Sequence, residues 1–128
     1  MAKKAATKER VTPVKKVTRL KGIKKKEDIA DVVIRAMEAK KAQQIVCMDL
    51  RKVESAVTDF FVICHGTSST QVEAIAINIE DEVKKALNET PVHAEGYRNG
   101  EWILLDYFNV VAHIFLEEKR DFYKLEKL

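Results

Sequence analysis

Along this chain the spacing of apolar residues changes period several times, and each change marks an element boundary. Ile29, Val32, Val33, Ala36 and Met37 fall at i, i+3, i+4, i+7 and i+8, the stripe of an amphipathic helix over about 27–42. IVCMDL at 45–50 is almost wholly apolar and β-rich, which predicts a strand buried on both faces. The polar stretch RKVESAVT separates it from DFFVICH at 59–65, a second strand of the same kind. GTSST follows, where Ser68 with Gln71, or Thr70 with Glu73, fits a capping box opening a helix. Val72, Ile75, Ala76, Ile79, Val83, Ala86 and Leu87 carry that helix's stripe to about residue 88. Pro91 closes the segment, because proline cannot continue a helix.

Beyond Pro91 the period becomes two. VHAEGY at 92–97 and EWILLDY at 101–107 flank Asn99-Gly100, a pair that tolerates the positive φ of a tight hairpin turn. VVAHIF at 110–115 follows after the short connection Phe108-Asn109, and EEKRDFYKLEKL reads as a last helix with Phe122, Leu125 and Leu128 along one side. The predicted order is αββαβββα. The helix at 68–88 joins strands that it would make parallel, and such crossovers are right-handed. The other strand connections are short and antiparallel. An α/β fold results: one mixed sheet of about five strands with packed helices and no internal repeat.

Composition changes this picture in one respect. At 128 residues and 46% hydrophobic the chain suits one domain with a core needing neither metal nor disulfide. No apolar run approaches the ~20 residues that span a bilayer, so no membrane association is expected. Cys47 and Cys64 lack CxxC spacing and read as reduced thiols packed in a core, which points to a cytosol-like compartment. The net charge of +3, however, hides a split. Residues 1–26 hold 11 of the 23 basic residues against one acid, Glu9, a net +10, while residues 27–128 hold 12 basic and 19 acidic residues, a net −7. The expected organisation is therefore a basic arm, 1–26, disordered on its own, and an acidic globular body, 27–128. A contact to nucleic acid is one reading of the arm, since each neutralised phosphate releases counterions. A solvated tail, a remnant of recombinant expression and an organelle presequence are the others.

Three linked motifs, DFFVICHGTSSTQVEAIA, NGEWILLDYFNVVAHIF and RDFYKLEKL, resemble the ribosomal silencing factor family, also called Iojap-related proteins. The likeness covers about 27–128, in order and with matching spacing, and leaves the basic arm outside it. The sequence departs from the family where Phe108-Asn109 stands in place of a Gly-Asp-like pair. It also ends at Leu128, where the family commonly continues to a Trp. The resemblance implies a nucleotidyltransferase-like fold without catalytic carboxylates and no enzyme activity. It further implies binding to the large ribosomal subunit through its fourteenth-numbered protein, which keeps the small subunit from joining and represses translation. Organelle relatives serve large-subunit assembly instead, so a cytoplasmic setting and an organelle matrix both stay open.

Alternation places Trp102, Leu104 and Asp106 on one face of their strand and Ile103, Leu105 and Tyr107 on the other. A carboxylate beside Trp and Leu is costly in a core, so the Trp102 face is expected to be partly open and the other to meet the helices. The alternative is a core Trp102 with its indole N–H capped by a hydrogen bond. With the resemblance placing the interface on this hairpin and turn, the expected partner-binding residues are Trp102, Leu104, Asp106, Tyr107 and Asn109. Aromatic residues of this kind dominate interface energetics.

Three further readings are weaker. Gly66-Thr67-Ser68-Ser69 between a strand and a helix N-terminus could hold a phosphate as nucleotidyltransferases do. Phosphoryl transfer also needs converging carboxylates for metal ions, and VHAEGY offers Glu95 alone, with Asp49, Asp59 and Asp106 on other strands. Helix capping suffices for the loop, so neither catalytic residues nor a cofactor is expected. His65, His93 and His113 lack zinc-site spacing and read as structural, so no metal is expected. Oligomeric state stays open, a homodimer included.

Overall fold

The computed structural model describes residues 11–13 and 28–123. The described chain runs β1 (Val11–Pro13), α1 (Ile29–Ala39), β2 (Gln43–Asp49), β3 (Phe60–Gly66), α2 (Ser69–Leu87), β4 (His93–Glu95), β5 (Trp102–Asp106), β6 (Val110–Leu116) and α3 (Glu117–Tyr123). The five expected strands form one mixed sheet, and β1 adds a sixth along its edge in the order β1-β2-β3-β6-β5-β4. Pairing is antiparallel throughout except between β3 and β6. β1 was not foreseen in a segment so rich in lysine. Its three residues, Val11, Thr12 and Pro13, lie opposite Met48, Cys47 and Val46 and engage an edge of β2 that otherwise lacks a partner strand. The disorder expected for the rest of 1–26 falls outside the described residues, as do Leu125 and Leu128 of the stripe expected for the last helix.

Both long helices bury the greater part of the stripes that predicted them, with Ile29 and Leu87 half-buried at the ends and Ala86 exposed. Val32, Val33, Ala36 and Met37 of α1 and Val72, Ile75, Ala76, Ile79 and Val83 of α2 are all but fully buried. They pack with Val62, Cys64, Ile103, Leu105, Ala112 and Ile114 from one face of the sheet. The two helices are also tied by polar groups, since Asn78 Nδ2 donates to Ala36 O at 3.0 Å and Gln71 Nε2 lies 3.3 Å from both Lys40 O and Lys41 O. Lys41 and Gln44 take positive φ values of 61° and 48°, and the β2–β3 register shifts between Gln43 and Val46, so this turn ends in a bulge. Cys64 is buried and Cys47 half-buried. Both are free thiols. Burial, helped by Asp49 and Asp31, pushes the Cys47 thiol up to about 11, and burial raises Cys64 further.

The hairpin after Pro91 differs from the expected two-residue turn. β4 and β5 are shorter than 92–97 and 101–107, although their pairing (Glu95 with Leu104, His93 with Asp106) remains centred on Asn99-Gly100. The ladder opens at Gly96, and the turn closes through Gly100 N–H to Gly96 O at 3.0 Å. Within the opened turn, Tyr97 donates its hydroxyl to Glu80 Oε2 on α2 at 2.5 Å, which ties the turn to the helix. Gly96 has φ +97°, and a Cβ there would meet the Trp102 carbonyl oxygen at 1.9 Å. Only glycine fits.

Candidate partner-docking surface

The residues that alternate away from the helices form the second face of the sheet. Cross-strand register sets them in rows: Glu95, Leu104, His113, Ile63 and Val46 in one, and His93, Asp106, Val111, Phe61 and Met48 in the next. Trp102 lies opposite Phe115. Toward β2 and β3 the face is partly covered, because Leu50, Val53 and Ala56 of the following loop join Met48, Ile63 and Phe115 in a smaller cluster. α3 returns over the top of β3 and β6, where the buried Arg120 NH1 meets His65 Nδ1 at 2.9 Å. Toward β5 and β4 the cover ends. Trp102, Leu104 and Asp106 are half-exposed, and His93 and Glu95 are exposed.

Trp102 combines both expectations for it. One side of its indole stacks on Phe115 with centroids 5.1 Å apart, and its Nε1–H donates to His113 Nδ1 at 3.0 Å. That bond requires the unprotonated Nδ1, and burial holds His113 neutral by lowering its pKa to about 4. Phe61 packs edge-on to the same imidazole at 4.6 Å. The indole is therefore a fixed, half-buried plate, with its polar N–H satisfied inside the chain and part of its apolar surface facing out. No sequence signal pairs residue 102 with residue 113, which come together only through the register.

Asp106 is accommodated by its own turn. Its Oδ1 accepts the Phe108 N–H at 2.8 Å, which answers the cost of a carboxylate beside apolar groups. Asn109 is exposed, and its carbonyl accepts the N–H groups of both Asp59 and Phe60 at 3.1 Å. Tyr107 departs from the expected set. It is 4% exposed, on the helix-covered face with Ile103 and Leu105, so it cannot present itself to a partner without unfolding. Burial raises its phenol above the ordinary range. Sequence reasoning passed over Phe108, which is 76% exposed with φ +81°. The available signal was the length of the connection, since a two-residue turn between antiparallel strands commonly demands positive φ.

The loop at Gly66–Ser69 spends its groups internally. Ser68 Oγ accepts the Gln71 N–H at 3.1 Å, as the first of the two capping pairs predicts. Gln71 Oε1 in turn accepts from the Thr67 backbone N–H at 2.8 Å and its hydroxyl at 3.1 Å. A Cβ on Gly100 would lie 3.0 Å from Ser69 Cβ, so the hairpin turn sits against the helix start. At the opposite end of the sheet a cleft of about 480 Å³ is lined by Asp28, Asp31, Arg51, Phe60, Glu89 and Asn109, among others. Arg51 there is held by Asp49 through contacts of 2.9 and 2.6 Å and lies over the Phe60 ring. Among the described residues no helix is long and apolar enough to cross a membrane.

Comparison with known proteins gives the family of the chain. Residues 23–128 match the family model described as "Ribosomal silencing factor during starvation". The chain belongs to the ribosomal silencing factor family. It is 38% identical over 105 residues to the ribosomal silencing factor of Halalkalibacterium halodurans, covering 80% of this chain and 86% of that protein. It is also 32% identical over 100 residues to the mouse protein named "Mitochondrial assembly of ribosomal large subunit protein 1", covering 77% of this chain and 43% of that one. Among solved structures, a Chromobacterium violaceum protein superposes with a TM-score of 0.73 at 30% identity, covering 80% of this chain and 83% of its own. A Bacillus halodurans protein gives 0.69 at 34% identity, with 77% and 90% covered.

Proposed function

We propose that this silencing-family chain is a translation repressor that docks on the large ribosomal subunit through its fourteenth-numbered protein and prevents the small subunit from joining. The observation that carries the reading is the uncovered part of the sheet around β5. Trp102 and Leu104 supply half-exposed apolar surface there, and Asp106, His93, Glu95 and Asn109 supply a polar rim. An anchor fixed before binding loses little freedom on docking, and a rim that excludes water makes its contacts count. The mechanism needs no turnover. A footprint of roughly 800 Å² per partner suffices to exclude a competing subunit from the same face. On this reading residues 27–128 form the docking body, in a nucleotidyltransferase-like fold without catalytic carboxylates, and the basic arm adds at most a salt-dependent contact to ribosomal RNA. The setting proposed is the cytoplasm.

Co-sedimentation with isolated large ribosomal subunits, with and without competing small subunits, tests this directly. The expected result is binding that is mutually exclusive with subunit joining. Trp102→Ala, checked for retained fold by circular dichroism, should weaken binding by about 2 kcal/mol or more. A second reading, a large-subunit assembly factor, is favoured by the name of the mouse relative. Binding that leaves subunit joining untouched would select it.

A further inference from the structure

Phe108 is the position where the fold's needs and the residue chosen disagree. Its φ of +81° lies in the left-handed region, which strains a bulky side chain and which Gly or Asn adopts readily. The ring offsets little of that strain inside the chain, being 76% exposed. The backbone around it is nevertheless held firmly. Tyr107 N–H donates to Val110 O at 2.8 Å, Phe108 N–H to Asp106 Oδ1 at 2.8 Å, and the Asn109 carbonyl accepts from Asp59 and Phe60. A rigid turn thus displays an aromatic ring to solvent, at the end of the alternation that sets Trp102, Leu104 and Asp106 on the uncovered face.

Independently, exposed apolar residues gather at this end of the sheet. Of the large hydrophobic side chains most exposed among the described residues, Val57, Ile77, Val92 and Phe108, only Ile77 lies elsewhere, on α2. Val92 donates its N–H to Asp106 O, and Val57, 93% exposed, comes two residues before Asp59, whose N–H meets the Asn109 carbonyl. The charged groups beside them are Asp59, Asp106 and Arg51, the last paired with Asp49 over the Phe60 ring, so acidic groups outnumber basic ones on a body whose net charge is −7.

We infer that Phe108 is a specificity-determining contact of the docking face, seating in an apolar recess with a basic rim on the ribosomal protein that this face meets. The inference rests on the docking reading above. A backbone strain maintained for a solvent-facing ring is accounted for when the ring is buried by a partner. A ring fixed in advance also loses little freedom on binding.

The test compares Phe108→Gly and Phe108→Asn with Trp102→Ala in the full chain, by melting temperature and by affinity for purified large ribosomal subunits. Both Phe108 variants should melt at or above the wild-type temperature, because both residues accept the left-handed turn. Both should bind about tenfold more weakly, the loss of one buried aromatic contact. Wild-type affinity in both variants would overturn the inference. So would a lowered melting temperature in both, which would make the ring a support of the fold. If Trp102→Ala also binds like wild type, the docking face itself fails. If Trp102→Ala binds weakly while the Phe108 variants do not, the assignment of Phe108 alone is wrong.

Discussion

The two faces of this sheet come from the same strands, one residue apart, and they are built to different rules. Against α1 and α2 the sheet presents Val62, Cys64, Ile103, Leu105, Ala112 and Ile114, all with no exposed surface. Across the pleat the neighbours are Trp102, Leu104, Asp106, His113 and Phe61, a mixture of aromatic, carboxylate and imidazole groups with several half-exposed. The first set is interchangeable in kind and is held by volume. In the second, polar groups are held by specific bonds: indole to imidazole, carboxylate to turn. Aliphatic packing supplies stability without direction, whereas directional contacts make a surface with a definite shape. Because the side-chain period is two, one strand serves both ends.

The contrast can be broken most severely from the aliphatic side. Leu105→Ala, at a fully buried position, should cost about 2–5 kcal/mol in chemical denaturation while leaving the affinity of the folded fraction unchanged. Acid should act through the other face. The folded chain holds His113 neutral, with a pKa of about 4 against the ordinary 6.5. The unfolded chain therefore takes up a proton first as the pH falls. Stability is fully present above the unfolded value and declines from about pH 6.5 down to about pH 4, by roughly 3 kcal/mol in all. Urea titrations across this range should show the decline in wild type and a shallower one in His113→Phe, which has nothing to titrate there. The smallest effect is expected on neither face. Ile77 is 57% exposed on α2, and Ile77→Ala should change stability by less than about 0.5 kcal/mol and subunit binding not at all.

Much of the fold was legible because local signals and long-range packing agreed. The stripe from Ile29 to Met37 and the cap at Ser68 with Gln71 both appear where the residues place them. Alternation alone separated the Trp102 face from the Ile103 face, and burial follows that division. It separated Tyr107 as well, yet Tyr107 was still expected at the interface on its aromatic character, and parity was the better guide. What stayed hidden depends on partners distant in sequence. The bond from Trp102 to His113, the meeting of Arg120 with His65 and the bond from Tyr97 to Glu80 each need the assembled register or helix position before they exist. β1 was hidden for another reason: three extended residues in a lysine-rich segment carry no periodicity, and the open edge of β2 gives them their place.

The single tryptophan of this chain is the one that stacks on Phe115 and bonds to His113. Its emission, excited at the red edge where the three tyrosines do not absorb, therefore arises entirely from the candidate contact surface. Docking, which would remove water from the free side of the ring, and acidification, which would sever its link to the imidazole, should each alter that light without any attached dye. The chain carries its own probe at the spot where a probe is most informative.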